Sequence, residues 1–304
     1  MSPAGVSDLL VAGPWSHALV SANGSRFHVA GCGAEGDPMV LFLHGFPEFW
    51  WAWRDQLPVV AAAGWRAVAM DLRGYGASDK TPRGYDPFTA AADVSGVVRS
   101  LGETSAVLVG HGWGGFVAWS TAVLASRQVR GVAAVAAPHP LELMRPTGHR
   151  LGTIAQVGLY QLPILPERRL LARDGAVVEQ LLRSWSGPGD FPSAEASRRY
   201  RAALQVWPAP HCALEYHRWL VRSRVRSDGR RYATRMRTPV DVPVLQVDGA
   251  HDTATRPGAP PPAGLVTGPF RHELLTTAGH FPHEETPDLF TKTLLSWLTT
   301  LRTP

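Results

Sequence analysis

Short runs of β-branched and small apolar residues alternate with stretches of helical spacing through the first half of the chain, and this alternation restricts the fold more than any single motif does. Strands that are apolar on both faces must be covered on both. The pattern therefore argues an α/β class fold with a mostly parallel central sheet flanked by helices. Strands are expected at Arg26 to Ala30, Met39 to His44, Arg66 to Asp71, Ala106 to Gly110 and Gly131 to Ala136, and again at Val242 to Asp248 and Arg271 to Thr276. Helices are expected over Trp53 to Ala63, Thr89 to Leu101, Gly115 to Arg127 and Pro287 to Leu301.

Between residues 138 and 238 the character changes. The segment is rich in arginine, bears tryptophans and reads as helical, with turn punctuation at Ser186-Gly-Pro-Gly-Asp190 and Trp207-Pro-Ala-Pro210. Strand-like sequence resumes at Val242, so residues 138–238 are expected as a helical cap inserted into one core formed by residues 1–137 and 239–304. The longest apolar runs, such as Met39 to Leu43 and Val132 to Ala137, fall far short of the roughly 20 residues that cross a bilayer. A soluble protein with no membrane partner is expected. The N-terminal stretch has neither a basic n-region nor a sustained apolar run, so a cytoplasmic location is expected in place of secretion. Cys32 and Cys212 match no metal or disulfide spacing and are expected as free thiols. The net charge of +5 is carried almost entirely by arginine. Its one local excess, Arg222, Arg224, Arg226, Arg230, Arg231, Arg235 and Arg237, reads as a solvated helical face, and no nucleic-acid motif accompanies it.

Chemistry concentrates where strands end. Gly110-His-Gly-Trp-Gly-Gly115 follows an expected strand and opens an expected helix. This is the context of a nucleophile elbow, in which flanking glycines avoid clashes on a sharp turn. Gly112 occupies its central position. His44-Gly-Phe-Pro47 follows an earlier strand, and its loop can aim the Phe46 N–H at the elbow. Together with the N–H of Trp113 it would form an oxyanion hole. Asp252, in Val247-Asp-Gly-Ala-His-Asp252, and His280, in Gly279-His-Phe-Pro-His283, stand in the chain order of an acid and its general base. Asp248 is expected to cap a strand end, and His283 is expected at the surface.

With these residues in view, the sequence resembles the epoxide hydrolases of the α/β-hydrolase superfamily, relatives of haloalkane dehalogenases. The resemblance covers nearly the whole chain. It rests on His44-Gly-Phe-Pro-Glu-Phe-Trp-Trp-Ala-Trp-Arg54, Asp71-Leu-Arg-Gly-Tyr-Gly-Ala-Ser78, the elbow, the cap and Gly279-His-Phe-Pro-His-Glu284. It implies an α/β-hydrolase fold with an inserted helical cap, a hydrophobic small-molecule substrate and no cofactor or metal. In such enzymes an aspartate at the elbow attacks the epoxide, a His-activated water hydrolyses the resulting ester, and cap tyrosines donate to the epoxide oxygen.

This chain departs from that pattern in two places. Gly112 stands where the attacking aspartate is expected, and a glycine cannot form the ester. In Leu214-Glu-Tyr-His-Arg-Trp219, His217 stands where a ring-opening tyrosine is expected, with Tyr216 one place away. Tyr160 is the candidate for the second cap donor, and Trp50, Trp51, Trp113, Trp185 and Trp207 suggest an aromatic-lined apolar cleft. The sequence thus admits acid–base chemistry by His280 and Asp252 without a covalent step, a silent ligand-binding protein, or a hydrolase from which the nucleophile has been removed by substitution.

Overall fold

The computed structural model describes residues 5–145, 157–255 and 257–302. Its sheet has eight strands: β1 (Ser16–Ala22), β2 (Ser25–Cys32), β3 (Met39–Leu43), β4 (Arg66–Met70), β5 (Ala106–His111), β6 (Val129–Val135), β7 (Val244–Gly249) and β8 (Phe270–Leu275). They lie in the order β1-β2-β4-β3-β5-β6-β7-β8. Strands β4 through β8 run parallel with β3 in their midst, while β1 and β2 pair antiparallel and β2 joins β4 antiparallel. Every residue of β3, β5 and β7 is buried, as a sheet covered on both faces demands.

Strand β1 was not anticipated. It is an edge strand with a mixed burial pattern, and Leu19 on it is 58% exposed. The sequence did carry a signal: Asn23 and Gly24 both adopt positive φ (45° and 72°) and close the β1–β2 hairpin, as an Asn-Gly type I′ turn does.

Around the sheet lie α1 (Gln56–Ala62), α2 (Pro87–Ser100) and α3 (Trp113–Leu124). Helix α2 starts two residues earlier than expected because Asp86 accepts from the N–H groups of Phe88 and Thr89, with Pro87 in the first turn. Helix α1 begins three residues later than expected, and Trp53 instead closes a separate 3₁₀ turn, Trp50–Trp53, whose Trp50 N–H donates to Asp71 at 2.8 Å. Between β6 and β7 come α4 (Pro140–Leu143), α5 (Leu165–Trp185, broken at residues 172–175), α6 (Ala194–Gln205), α7 (Ala209–Arg222) and α8 (Ser227–Arg235). Residues 146–156 of that stretch lie outside the described residues. After β8 come α9 (Pro282–Glu285) and α10 (Pro287–Thr300). No helix among the described residues is long and apolar enough to cross a membrane.

The arginines of the basic stretch behave as expected of a solvated face: Arg226, Arg230, Arg231, Arg235 and Arg237 are exposed, while Tyr232 points inward. Cys32 and Cys212 are free, and Cys212 is buried.

Position in the sheet sets the cost of truncation. Leu41→Ala, at the centre of the fully buried β3, should lower unfolding stability by about 2–5 kcal/mol. Leu19→Ala on the exposed edge should change it by under about 0.5 kcal/mol. Urea denaturation of both variants checks the contrast.

Candidate active site

Strand β5 turns into helix α3 through Gly112, whose backbone takes φ 49° and ψ −113°. Neighbouring glycines are dictated by space. A Cβ on Gly114 would lie 2.0 Å from the Leu43 carbonyl oxygen, one on Gly110 2.3 Å from the Gly114 oxygen, and one on Gly115 2.3 Å from the Ala137 Cβ. Gly112 differs: a Cβ there would meet only His280 Nε2 at 3.6 Å and the Gly45 Cα at 3.8 Å. The conformation disfavours a side chain, but there is room for one.

The loop after β3 is fixed to this turn by a buried polar network. Glu48 accepts from the Gly45 N–H at 3.0 Å and from His111 Nδ1 at 2.7 Å, and His111 Nε2 donates to the His280 carbonyl at 2.8 Å. His44 Nε2 accepts from the Leu72 N–H at 3.1 Å, which ties the same loop to the end of β4. The Phe46 N–H has no partner among the described residues, nor has the Trp113 N–H at the start of α3.

His280 Nδ1 donates to Asp252 at 2.9 Å, and both groups are buried. Burial opposes charge on Asp252, but His280, the Thr255 hydroxyl and backbone N–H groups hold its carboxyl down to about 2. Burial likewise opposes charge on His280, and the Asp252 carboxylate outweighs it, leaving the imidazole above its ordinary value. Glu285, which sequence reasoning did not single out, holds the loop in place. Its carboxylate accepts from the N–H groups of Gly279 (2.8 Å), Phe281 (2.9 Å) and Gly187 (2.7 Å), joining the His280 loop to the end of α5.

A cavity of about 430 Å³ opens over Gly112 and His280, lined also by Phe46, Trp113, Tyr160, Trp185, His217 and Arg224. A more open groove of about 590 Å³, bordered by Arg99, Arg231 and Arg235, lies against α2 and α8 and contains none of these site residues.

Several expected site residues fall elsewhere. Trp50 is fully buried against Trp15, His17 and His28, with its indole N–H donating to Leu9 O, so it belongs to the core and not to the cleft. Trp51 is buried beneath the Arg54 guanidinium, and Trp207 is 68% exposed. Tyr216 turns away from the cavity and donates to the Arg73 carbonyl at 3.0 Å. His217 does line the cavity, but its Nε2 accepts from the Trp113 indole at 3.0 Å and its Nδ1 donates to Ala213 O at 3.1 Å. Burial pushes its imidazole down to about 4, so it is neutral with both nitrogens engaged.

His283 is not at the surface. It is fully buried and stacked on Trp53 at 4.4 Å, because the short α9 folds it inward beside Glu48. Asp248 sits in β7 with partners of its own, Gln246, His272 and the Gly258 N–H.

Glu48, His111 and His283 form a cluster whose ligand atoms lie within 4.8 Å of one another. His111 has both nitrogens engaged, and His283 Nε2 lies 3.2 Å from Glu48, misaligned for a hydrogen bond. Glu48 and His111 serve as a hydrogen-bonded support beneath the elbow, with His283 packed beside them.

The model of the alpha/beta hydrolase fold family matches residues 38–287. The chain is 32% identical over 288 residues to epoxide hydrolase 3 of Xenopus tropicalis, covering 91% of this chain and 75% of that one. It is 30% identical to epoxide hydrolase A of Mycobacterium tuberculosis, covering 93% and 97%. This chain is an alpha/beta hydrolase of the epoxide hydrolase class. Among solved structures, epoxide hydrolase A from Mycobacterium thermoresistibile superposes with a TM-score of 0.77 at 26% identity, covering 94% of this chain and 98% of the other. In this hydrolase the turn after β5 carries glycine at its centre.

Substitutions at the turn should separate. Gly114→Ala forces a Cβ into the Leu43 carbonyl and is expected to prevent soluble expression or lower the melting temperature severely. Gly112→Asp fits the space and should fold, at a backbone cost of about 1–3 kcal/mol read from chemical denaturation.

Proposed function

We propose that this hydrolase opens an epoxide on a hydrophobic small molecule by direct addition of water, without an ester intermediate. The observation that carries the reading is the pairing of His280 with Asp252 at 2.9 Å, with the second imidazole nitrogen turned toward the space over Gly112. In this reading residues 138–238 are a cap that closes the cavity. Asp252 fixes the tautomer of His280, and His280 Nε2 takes a proton from a water held over Gly112 as that water attacks an epoxide carbon. The N–H groups of Phe46 and Trp113 orient that water, and Tyr160 is the cap hydroxyl that donates to the ring oxygen.

Magnitudes bound the rate. Triad hydrolases stripped of their nucleophile retain roughly 10³–10⁴ over water, and a rate of that order is expected here. A second reading, ligand binding without turnover, draws support from His217, whose nitrogens are both engaged, and from Tyr216, which faces away.

The test is a panel of aryl and alkyl epoxides in heavy-oxygen water. Glycol should form with solvent oxygen in the first turnover and no covalent adduct on the protein. His280→Ala should lose about 10²–10⁴-fold of that activity. Unaltered recovery of a tightly bound epoxide would establish the second reading instead. Because the base must be neutral and its titration lies above the ordinary 6.5, kcat/KM should fall on the acid side of a midpoint above 6.5. Asp252→Asn should move that midpoint down along with the rate, as a pH profile will show.

A further inference from the structure

The space over Gly112 has the properties of an anion site. It lies at the N-terminus of the twelve-residue α3, where the first N–H groups lack intrahelical partners and the helix carries roughly half a positive charge. The Trp113 and Phe46 N–H groups are unpaired among the described residues. Independently, His280 is 6% exposed, its Nδ1 is held by Asp252, and its Nε2 has no hydrogen-bond partner among the described residues while lying 3.6 Å from the place a Gly112 Cβ would take. No aspartate or glutamate is among the described residues lining the cavity. Arg224 also lines it. Two buried acids near the site are committed elsewhere: Asp252 accepts from His280 and Thr255, and Glu48 accepts from His111 and the Gly45 N–H. Unpaired backbone donors and a buried imidazole thus border one cavity, and among the described residues none that line it supplies a carboxylate.

We propose that this hollow binds a small carboxylate anion of the formate or acetate class and presents it as the nucleophile to an epoxide in the cavity. One carboxylate oxygen bonds to an epoxide carbon as that carbon's bond to the ring oxygen breaks, with the electron pair staying on the ring oxygen. The proton that the carboxylic acid gave up is held on His280 Nε2, which donates to the bound carboxylate, and passes from there to the ring oxygen. Epoxide plus carboxylic acid becomes a β-hydroxy ester, with nothing oxidised or reduced. The acyl group is not tethered to the chain, so the ester leaves as product. The anion-binding half stands on the geometry alone, and the ester-forming half rests on reading the cavity as an epoxide site.

Two measurements test it. First, acetate is titrated into the intact protein at constant ionic strength against chloride, following the His280 imidazole resonances by NMR. A saturable shift is expected, and Gly112→Asp, which places its own carboxylate in the hollow, should weaken it at least about tenfold. No saturable shift, or one equally strong in Gly112→Asp, overturns the site. Gly112→Ala, which adds only a methyl, guards against misfolding of the Asp variant and should give intermediate weakening; no weakening there also counts against the site. Second, styrene oxide and isotope-labelled acetate are incubated with the protein and the products analysed by mass spectrometry. The labelled hydroxy ester is expected, in an amount that saturates with acetate and is lost in His280→Ala. Acetate binding without ester overturns the nucleophile role. Glycol formation without acetate binding overturns this inference and leaves direct water addition standing, whereas ester formed only with acetate, and no glycol without it, does the reverse.

Discussion

The whole site depends on one close approach of backbone to backbone. Strand β5 reverses into α3 so tightly that Gly110, Gly114 and Gly115 each abut main chain or a neighbouring Cβ at distances no side chain could enter. This contact locks the end of β5 against the end of β3, so the loop carrying Phe46 and the first turn of α3 face a common space. Beneath it, Glu48 and His111 form a buried hydrogen-bonded pair that reaches on to the His280 carbonyl. A buried charged group without partners would cost several kcal/mol. The network therefore fixes the relative positions of three loops that come from opposite ends of the sequence.

Upon that frame the electrostatics follow from burial. Asp252 is inaccessible, yet three donors and an imidazole keep it ionised, and its charge in turn favours the protonated form of His280. Glu285 carries out the corresponding mechanical task. By accepting from Gly187, Gly279 and Phe281 it joins the end of α5 to the loop of His280, so the helices between β6 and β7 and the imidazole keep one geometry. The cavity above is mostly apolar, and its aromatic walls come from Phe46, Trp113 and Trp185.

How much of this was legible differs by element. The interior strands were readable because runs such as Met39–Leu43 are buried on both faces and so are apolar throughout. The edge strand β1 was missed because solvent on one side lets its composition drift, although Asn23-Gly24 marked the hairpin. Glu48 and His111 lay inside motifs that the sequence brought forward, but nothing in one dimension tells that they meet. Choosing between Tyr216 and His217 was beyond sequence reasoning, since one place along a helix is a rotation of about 100° and packing alone decides which side chain faces the cavity. Trp50 and His283 failed for the same reason: an aromatic or a histidine next to a motif reads alike whether it turns into the core or toward a ligand.

The sequence by itself determined the α/β order of elements, the glycine turn between β5 and α3, and the presence of Asp252 and His280 in an order that such a fold brings together. Those features are local or follow from chain topology, and they survive without knowledge of neighbours. Only the tertiary structure decided which side chains enter the cavity, that His217 is neutral and fully engaged, and that the space over Gly112 is open. These depend on contacts between residues far apart in the chain, such as Trp113 with His217 and His111 with His280, whose distances and donor pairings exist only once the sheet and the helices above it have closed on one another.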